Sequence, residues 1–117
     1  MSATTILVCD DEELIRWSLA THLTTEGYNV VQASDGDECL QMASEHSPAL
    51  ILLDLKMPRR DGLAVLRDLR ASGSEVLVVV LTAHGGVDSA IEATQLGATA
   101  YLSKPFDVRE VALAVKK

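Results

Sequence analysis

The chain has 117 residues, 48% of them hydrophobic and 23% charged, which excludes a disordered or fibrous chain and leaves room for one hydrophobic core. Ten Lys and Arg against 17 Asp and Glu give a formal charge of −7, which argues against this segment binding nucleic-acid backbones or anionic lipid through its overall field. Its four aromatics, Trp17, Tyr28, Tyr101 and Phe106, are too few for a single-strand stacking platform, and no apolar run reaches the length of a membrane span.

In chain order, Ile6–Cys9 is the first predicted strand, followed by a helix over Glu12–Glu26 whose Ile15, Leu19 and Leu23 recur every fourth residue until Gly27. Val30-Val31 marks the second strand, and a shorter helix over Gly36–Glu45 ends before Ser47-Pro48. Leu50–Leu53 is the third strand. Asp61-Gly62 opens the third helix, with a stripe of Val65, Leu66 and Leu69 closed by Gly73. Val76–Leu81 is the fourth strand, and Val87, Ala90, Ile91 and Thr94 are the expected inner face of a fourth helix closed by Gly97. Ala100–Leu102 is the fifth strand. Asp107 with Glu110 makes a capping-box-like start to the last helix, whose Val108, Val111, Ala112 and Val115 form its apolar stripe. That helix is still running at Lys117, so the chain is expected to be a single domain over 1–117 and the N-terminal part of a longer regulator. The third and fourth strands are continuous apolar runs, as strands covered on both faces require. Five strands alternating with five helices describe an α/β fold with a parallel sheet between two helical layers, which places ligands beyond the carboxyl ends of the strands.

Asp10-Asp11 follow the first strand, Asp54 the third, Thr82 the fourth, and Lys104-Pro105 the fifth. Carboxylates gathered in one crevice repel unless they share a proton or hold a cation, and oxygen-only ligands in a small site favour Mg²⁺. A metal, a hydroxyl and a lysine ammonium make a phosphoryl site, in which a carboxylate can act as nucleophile toward phosphorus. Asp54, at the end of the central strand, is the candidate nucleophile, with Asp10 and Asp11 one step out on a loop as metal holders. Taken singly, the same residues have plainer readings: Asp10-Asp11 as a helix N-cap, Thr82 as a strand-end hydroxyl, Tyr101 as a half-buried sheet residue, and Asp54 as a salt-bridge partner of Lys104. Arg59-Arg60 and the pair Arg67 and Arg70 read as solvated faces, and Trp17 reads as a packing residue. Cys9 and Cys39 read as buried or helix-face thiols, reduced in a cytosolic protein.

The motifs Ile6–Glu12 (ILVCDDE), Leu52–Gly62 (LLDLKMPRRDG), Leu81–His84 and Tyr101–Phe106 (YLSKPF), in this order and covering essentially the whole chain, resemble the receiver domain of bacterial two-component response regulators. Ile15-Arg16-Trp17, residues 82 to 85 and residues 104 to 107 further resemble the receivers of activators that work with the nitrogen-type alternative sigma factor, sigma-54. The resemblance implies a CheY-like, flavodoxin-like (βα)5 fold with strand order 2-1-3-4-5. It implies that Asp54 accepts phosphate from a sensor histidine kinase, that Asp10, Asp11, Asp54 and the Lys56 carbonyl serve Mg²⁺, and that Thr82, the Ala83 amide, Lys56 and Lys104 serve the phosphoryl group. Tyr101 would turn inward when Thr82 moves, and the Lys104-Pro105 peptide would be cis. The output surface would be the fourth helix, fifth strand and fifth helix, through which such receivers homodimerise, with an attached effector domain controlling transcription. No direct nucleic-acid or membrane binding by this segment is expected, and the chain would be a cytoplasmic switch instead of a turnover enzyme. Arg59-Arg60 depart from the family, which usually has a glycine and an apolar residue there. Lys56 and His84 stand where the family varies its dephosphorylation rate, and Lys56 is expected to shield the acyl phosphate from water. The competing readings are a haloacid-dehalogenase-type phosphatase, disfavoured because Glu12 stands where its second aspartate would be, and a flavin-binding domain, disfavoured by the acidic first loop.

Overall fold

In the computed structural model, residues 4–82, 87–104 and 107–116 are described. The five apolar runs form strands β1 (Thr5–Cys9), β2 (Asn29–Ala33), β3 (Leu50–Asp54), β4 (Leu77–Thr82) and β5 (Ala100–Ser103). Helices α1 (Glu13–Thr25), α2 (Gly36–His46), α3 (Gly62–Ala71), α4 (Val87–Gln95) and α5 (Val108–Lys116) alternate with them. All pairings are parallel and the order is β2-β1-β3-β4-β5, the arrangement expected.

Alternate strand residues point to opposite faces, so each continuous run serves two cores at once. Leu7, Cys9, Ile51, Leu53, Val78 and Val80 pack with α2, α3 and α4 through Cys39, Val65, Leu66, Leu69 and Ala93. Ile6, Val8, Leu50, Leu52, Val79 and Leu81 pack with α1 and α5 through Leu19, Leu23, Val111 and Ala112. A polar residue within either run would face one of these cores, which is why charge appears only where the runs stop. The pairings Cys9 with Leu53, Asp54 with Leu81 and Thr82 with Ser103 align those stops along one edge of the sheet.

Most helix boundaries lie within a residue of those expected. Asp35 and Asp61 cap α2 and α3 by accepting the backbone N–H of Glu38 and of Ala64, each at 2.8 Å. The predicted stop at Gly27 has φ 98°, a left-handed conformation open to glycine. Four expectations need correction. The α4 face is rotated: its buried residue is Ala93, whereas Ile91 is 50% exposed, Thr94 is exposed and Ala90 is half-buried. The side chain of Val87 is outside the described residues. The rotation follows from α3, whose Arg67 pairs with Glu92 at 3.2 Å and whose Arg70 donates to the carbonyls of Leu96 and Gly97. Arg70 also donates to the Ser74 and Val76 carbonyls, both at 3.0 Å, so it does not belong to a merely solvated face, whereas Arg67 is exposed as expected and holds only the Glu92 pair across the helices. Trp17 does not pack; it is 63% exposed, because the core stripe of α1 is carried by Leu19 and Leu23. Finally, α1 is not capped by Asp10 or Asp11: Glu12 occupies the N-cap without a side-chain cap bond, which leaves both aspartates for other work.

Candidate functional site

The apolar run of β3 ends in Asp54, and the chain turns back there because α3 begins with glycine. A Cβ at Gly62 would stand 2.3 Å from the Asp54 carbonyl oxygen and 2.6 Å from Leu55 Cα, and its N–H donates to the Leu55 carbonyl at 2.9 Å. Only glycine lets the start of α3 sit this close behind the nucleophile candidate. The Asp54 side chain is 4% exposed, and its Oδ1 accepts the Lys56 N–H at 3.2 Å.

Asp10 is more deeply placed than its position in a loop implied, with no exposed surface, whereas Asp11 and Glu12 are exposed. Its Oδ1 accepts the Glu12 N–H at 2.9 Å, which turns the chain into α1, and its carbonyl accepts Arg16 Nη1 at 2.8 Å. Its Oδ2 lies 2.7 Å from Lys104 Nζ. The same ammonium is 3.5 Å from Asp54 Oδ2 and 3.9 Å from Glu12 Oε1, so one cation from the end of β5 serves three carboxylates from two places in the chain, the loop after β1 and the end of β3. The Lys104–Asp54 pairing read from the sequence is therefore present, with Asp10 the nearer partner.

The electrostatics follow from this crowding. Burial, and then the Asp10 charge, raise the Asp54 carboxyl from the ordinary 3.8 to about 6, against the lowering effects of Lys104 and the Lys56 N–H. For Lys104, burial alone would lower the ammonium, but the hydrogen bond and charge of Asp10, then Asp54 and Glu12, hold it above its ordinary value. Carboxylate oxygens of Asp10, Asp11 and Glu12 lie within 4.8 Å of one another. This oxygen-only set, three carboxylates against the single Lys104 ammonium that Asp10 and Glu12 share with Asp54, suits a hard divalent cation such as Mg²⁺. Glu12 in this group was not singled out as a metal ligand from the sequence; its only signal was adjacency to the aspartate pair. Arg16 belongs to the Ile15-Arg16-Trp17 motif, which by itself carries no sign that its guanidinium supports Asp10.

Thr82 is buried at the end of β4, and its carbonyl accepts the Lys104 N–H at 2.8 Å. Tyr101 is half-buried on β5, and its buried hydroxyl has no hydrogen-bond partner among the described residues. Ala83, His84 and Pro105 lie outside the described residues, and with them the expected phosphate-binding amide of Ala83, the expected influence of His84 and the expected cis peptide before Pro105. Beside the site, a hollow of about 250 Å³ is lined by Leu55, Lys56, Met57, Asp61, Leu63, Thr82 and Ser89.

Comparisons with known proteins converge. The family described as response regulator receiver domain matches residues 6–116. Sporulation initiation phosphotransferase F of Bacillus subtilis is 38% identical over 112 residues, covering 96% of this chain and 90% of that protein. Transcriptional regulatory protein PdtaR of Mycobacterium tuberculosis is 42% identical over 112 residues, covering 95% of this chain. Response regulator MprA of Mycobacterium leprae is 40% identical over 111 residues, covering 95%. The chain spans about half of each of those two mycobacterial proteins, 54% and 49%. Among solved structures, a CheY-like receiver domain protein from Methanospirillum hungatei superposes with TM-score 0.94 at 27% identity, covering 98% of this chain and 92% of that one.

Proposed function

The chain belongs to the response regulator receiver domain family, and we propose that Asp54 is the side chain on which it carries a phosphoryl group. The observation that carries this reading is the single Lys104 ammonium held between two almost fully buried carboxylates, 2.7 Å from Asp10 and 3.5 Å from Asp54. Asp10 is engaged by Lys104 at 2.7 Å, by the Glu12 N–H and, through its carbonyl, by Arg16, while among the described residues Asp54 accepts the Lys56 N–H and has Lys104 at the longer distance of 3.5 Å. In the step proposed, an Asp54 carboxylate oxygen attacks the phosphorus of a kinase phosphohistidine. The P–N bond breaks, and the imidazole keeps the electron pair and takes up a proton. Lys104 offsets charge on a phosphoryl oxygen, and Thr82 offers its hydroxyl to another. Asp10, Asp11 and Glu12, with Asp54 and the Lys56 carbonyl, would hold Mg²⁺, whose charge when bound lowers the repulsion between carboxylate and phosphoryl oxygens.

The output proposed is a population shift. Thr82 and Tyr101 rearrange, and the α4–β5–α5 face changes its preference for a second copy or another partner. Ile91 on α4 and Leu113 on α5, both half or more exposed, support that face as the contact. Transcription control through an attached effector domain, as an activator acting with sigma-54, is the finer reading; it rests on Ile15-Arg16-Trp17, in which Arg16 supports Asp10 and Trp17 faces outward. The protein acts as a switch that takes part in its own phosphotransfer, not as a turnover enzyme. The deciding experiment is intact-mass analysis after incubation with Mg²⁺ and a small phosphodonor. The parent is expected to gain one acid-labile phosphoryl group and Asp54→Asn none; equal labelling of both would refute the assignment.

A further inference from the structure

The two arginines that depart from the family pattern do not face solvent unpaired. Arg59 Nε lies 3.4 Å from Asp35, Arg60 Nε lies 3.0 Å from Asp37, and Arg60 Nη1 pairs with Asp68 on α3. Asp35 and Asp37 flank Gly36 at the start of α2, and that glycine is where the two segments touch. A Cβ on Gly36 would stand 2.0 Å from the Arg60 carbonyl oxygen and 2.6 Å from Arg60 Cβ. Between the contacts the backbone makes a three-residue turn, in which the Arg60 N–H donates to the Pro58 carbonyl at 2.8 Å with Arg59 at φ 69°. That conformation suits a glycine and is disfavoured for arginine, so it persists only where the surroundings hold it. The loop from Leu55 to Asp61 is thus pinned at its base by Gly62 on Leu55 and at its tip by α2. The same loop carries Lys56, whose N–H reaches Asp54.

We infer that Arg59 and Arg60 are positioning residues: by strapping the β3–α3 loop to the start of α2 they hold Lys56 over Asp54, and so set how long a phosphoryl group survives there. The inference deepens the reading of Asp54 as phosphoacceptor and, in its kinetic arm, rests on it. The strap has a charged half and a steric half, and each can be removed without touching Asp54, Lys104 or the acidic group. Arg60→Gln and Asp37→Asn remove the pairing, while Gly36→Ala pushes the Arg60 carbonyl away.

The first readout is amide hydrogen exchange of the metal-free full chain, which requires no phosphorylation. Lys56 is expected to exchange about fivefold faster in Arg60→Gln and in Gly36→Ala, the size that modest exposed ion pairs allow, while Leu7 and Leu52 at the sheet centre keep their protection. Unchanged Lys56 exchange in both variants would overturn the inference. The second readout is the lifetime of the phosphoryl group loaded from a small acyl phosphate. It is expected to shorten by a similar factor in Arg60→Gln, and that effect is expected to vanish in a Lys56→Asn background. A shortening of equal size in both backgrounds would show that Arg60 does not act through Lys56. Undiminished labelling of Asp54→Asn would overturn the phosphoacceptor reading alone, because the exchange measurement does not depend on it.

Discussion

A carboxylate forced to ionise beside another carboxylate in a buried site costs stability, and Asp54 allows that cost to be worked out. Its carboxyl is raised from 3.8 to about 6, so the folded protein keeps the Asp54 proton up to about pH 6 while the unfolded chain releases it near 3.8. Between those limits the folded form binds more protons, and stability from this group therefore falls as pH rises. The loss is absent below the unfolded value, grows through the interval, and is complete above about pH 6, where it amounts to roughly 3 kcal/mol. Asparagine resembles the protonated acid in shape and carries no charge, and its side-chain oxygen can still accept the Lys56 N–H. Asp54→Asn is accordingly expected to stabilise the metal-free protein by about 2 to 3 kcal/mol near pH 7.5, with the gain fading toward pH 4. In urea, with a slope of about 1 to 3 kcal/mol per molar, this is a midpoint shift of roughly 0.7 to 3 M. Equilibrium unfolding of parent and variant across pH in a chelating buffer measures it. A variant no more stable than the parent at pH 7.5, or a gain that does not shrink in acid, would refute the electrostatic account.

Lys104→Met leaves Asp10 and Asp54 buried without their shared cation, and a loss of about 3 kcal/mol is expected near neutral pH, shrinking as acid supplies the pair with a proton; denaturant titration at two pH values checks it. Gly62→Ala places a carbon 2.3 Å from the Asp54 carbonyl oxygen, so the end of β3 or the start of α3 must shift; a cost of about 2 kcal/mol and slower labelling of Asp54 are expected, read by unfolding and intact mass. Arg70→Ala removes the donors to the Ser74, Val76, Leu96 and Gly97 carbonyls, and a cost of about 1 to 3 kcal/mol is expected with faster amide exchange at the carboxyl end of α4, whereas Arg67→Ala, which breaks only an exposed pair, is expected to cost about 0.5 kcal/mol.

The alternation of strands and helices, the two helical layers and the edge on which chemistry gathers were legible in the amino-acid sequence, because they depend on patterns only a few residues long, whereas the strand order was implied by the family resemblance of the motifs. Leu50–Leu53 and Val76–Leu81 are the continuous apolar runs that strands covered on both faces require, and Asp54 stands where the first of them stops. Such periodicity says where a run ends, but it says nothing about depth or about partners far along the chain. Asp10 and Asp11 are adjacent in sequence, yet one is fully buried and the other exposed, a difference produced by Lys104 approaching from a separation of 94 residues. Ile91, expected on the inner face of α4, is exposed and Ala93 takes its place for the same reason: the rotation of a short helix with few large apolar residues is set by its neighbours, here Arg67 and Arg70, and not by its own pattern. Arg59 and Arg60 looked like free charge until the sheet brought the start of α2 beside them, since pairing with Asp35 and Asp37 requires strands β1 and β3 to be neighbours first. Local patterning settled which segments are strands and helices and that both sheet faces are covered, and long-range geometry alone decided which charges neutralise one another and which glycines lie under another segment's backbone.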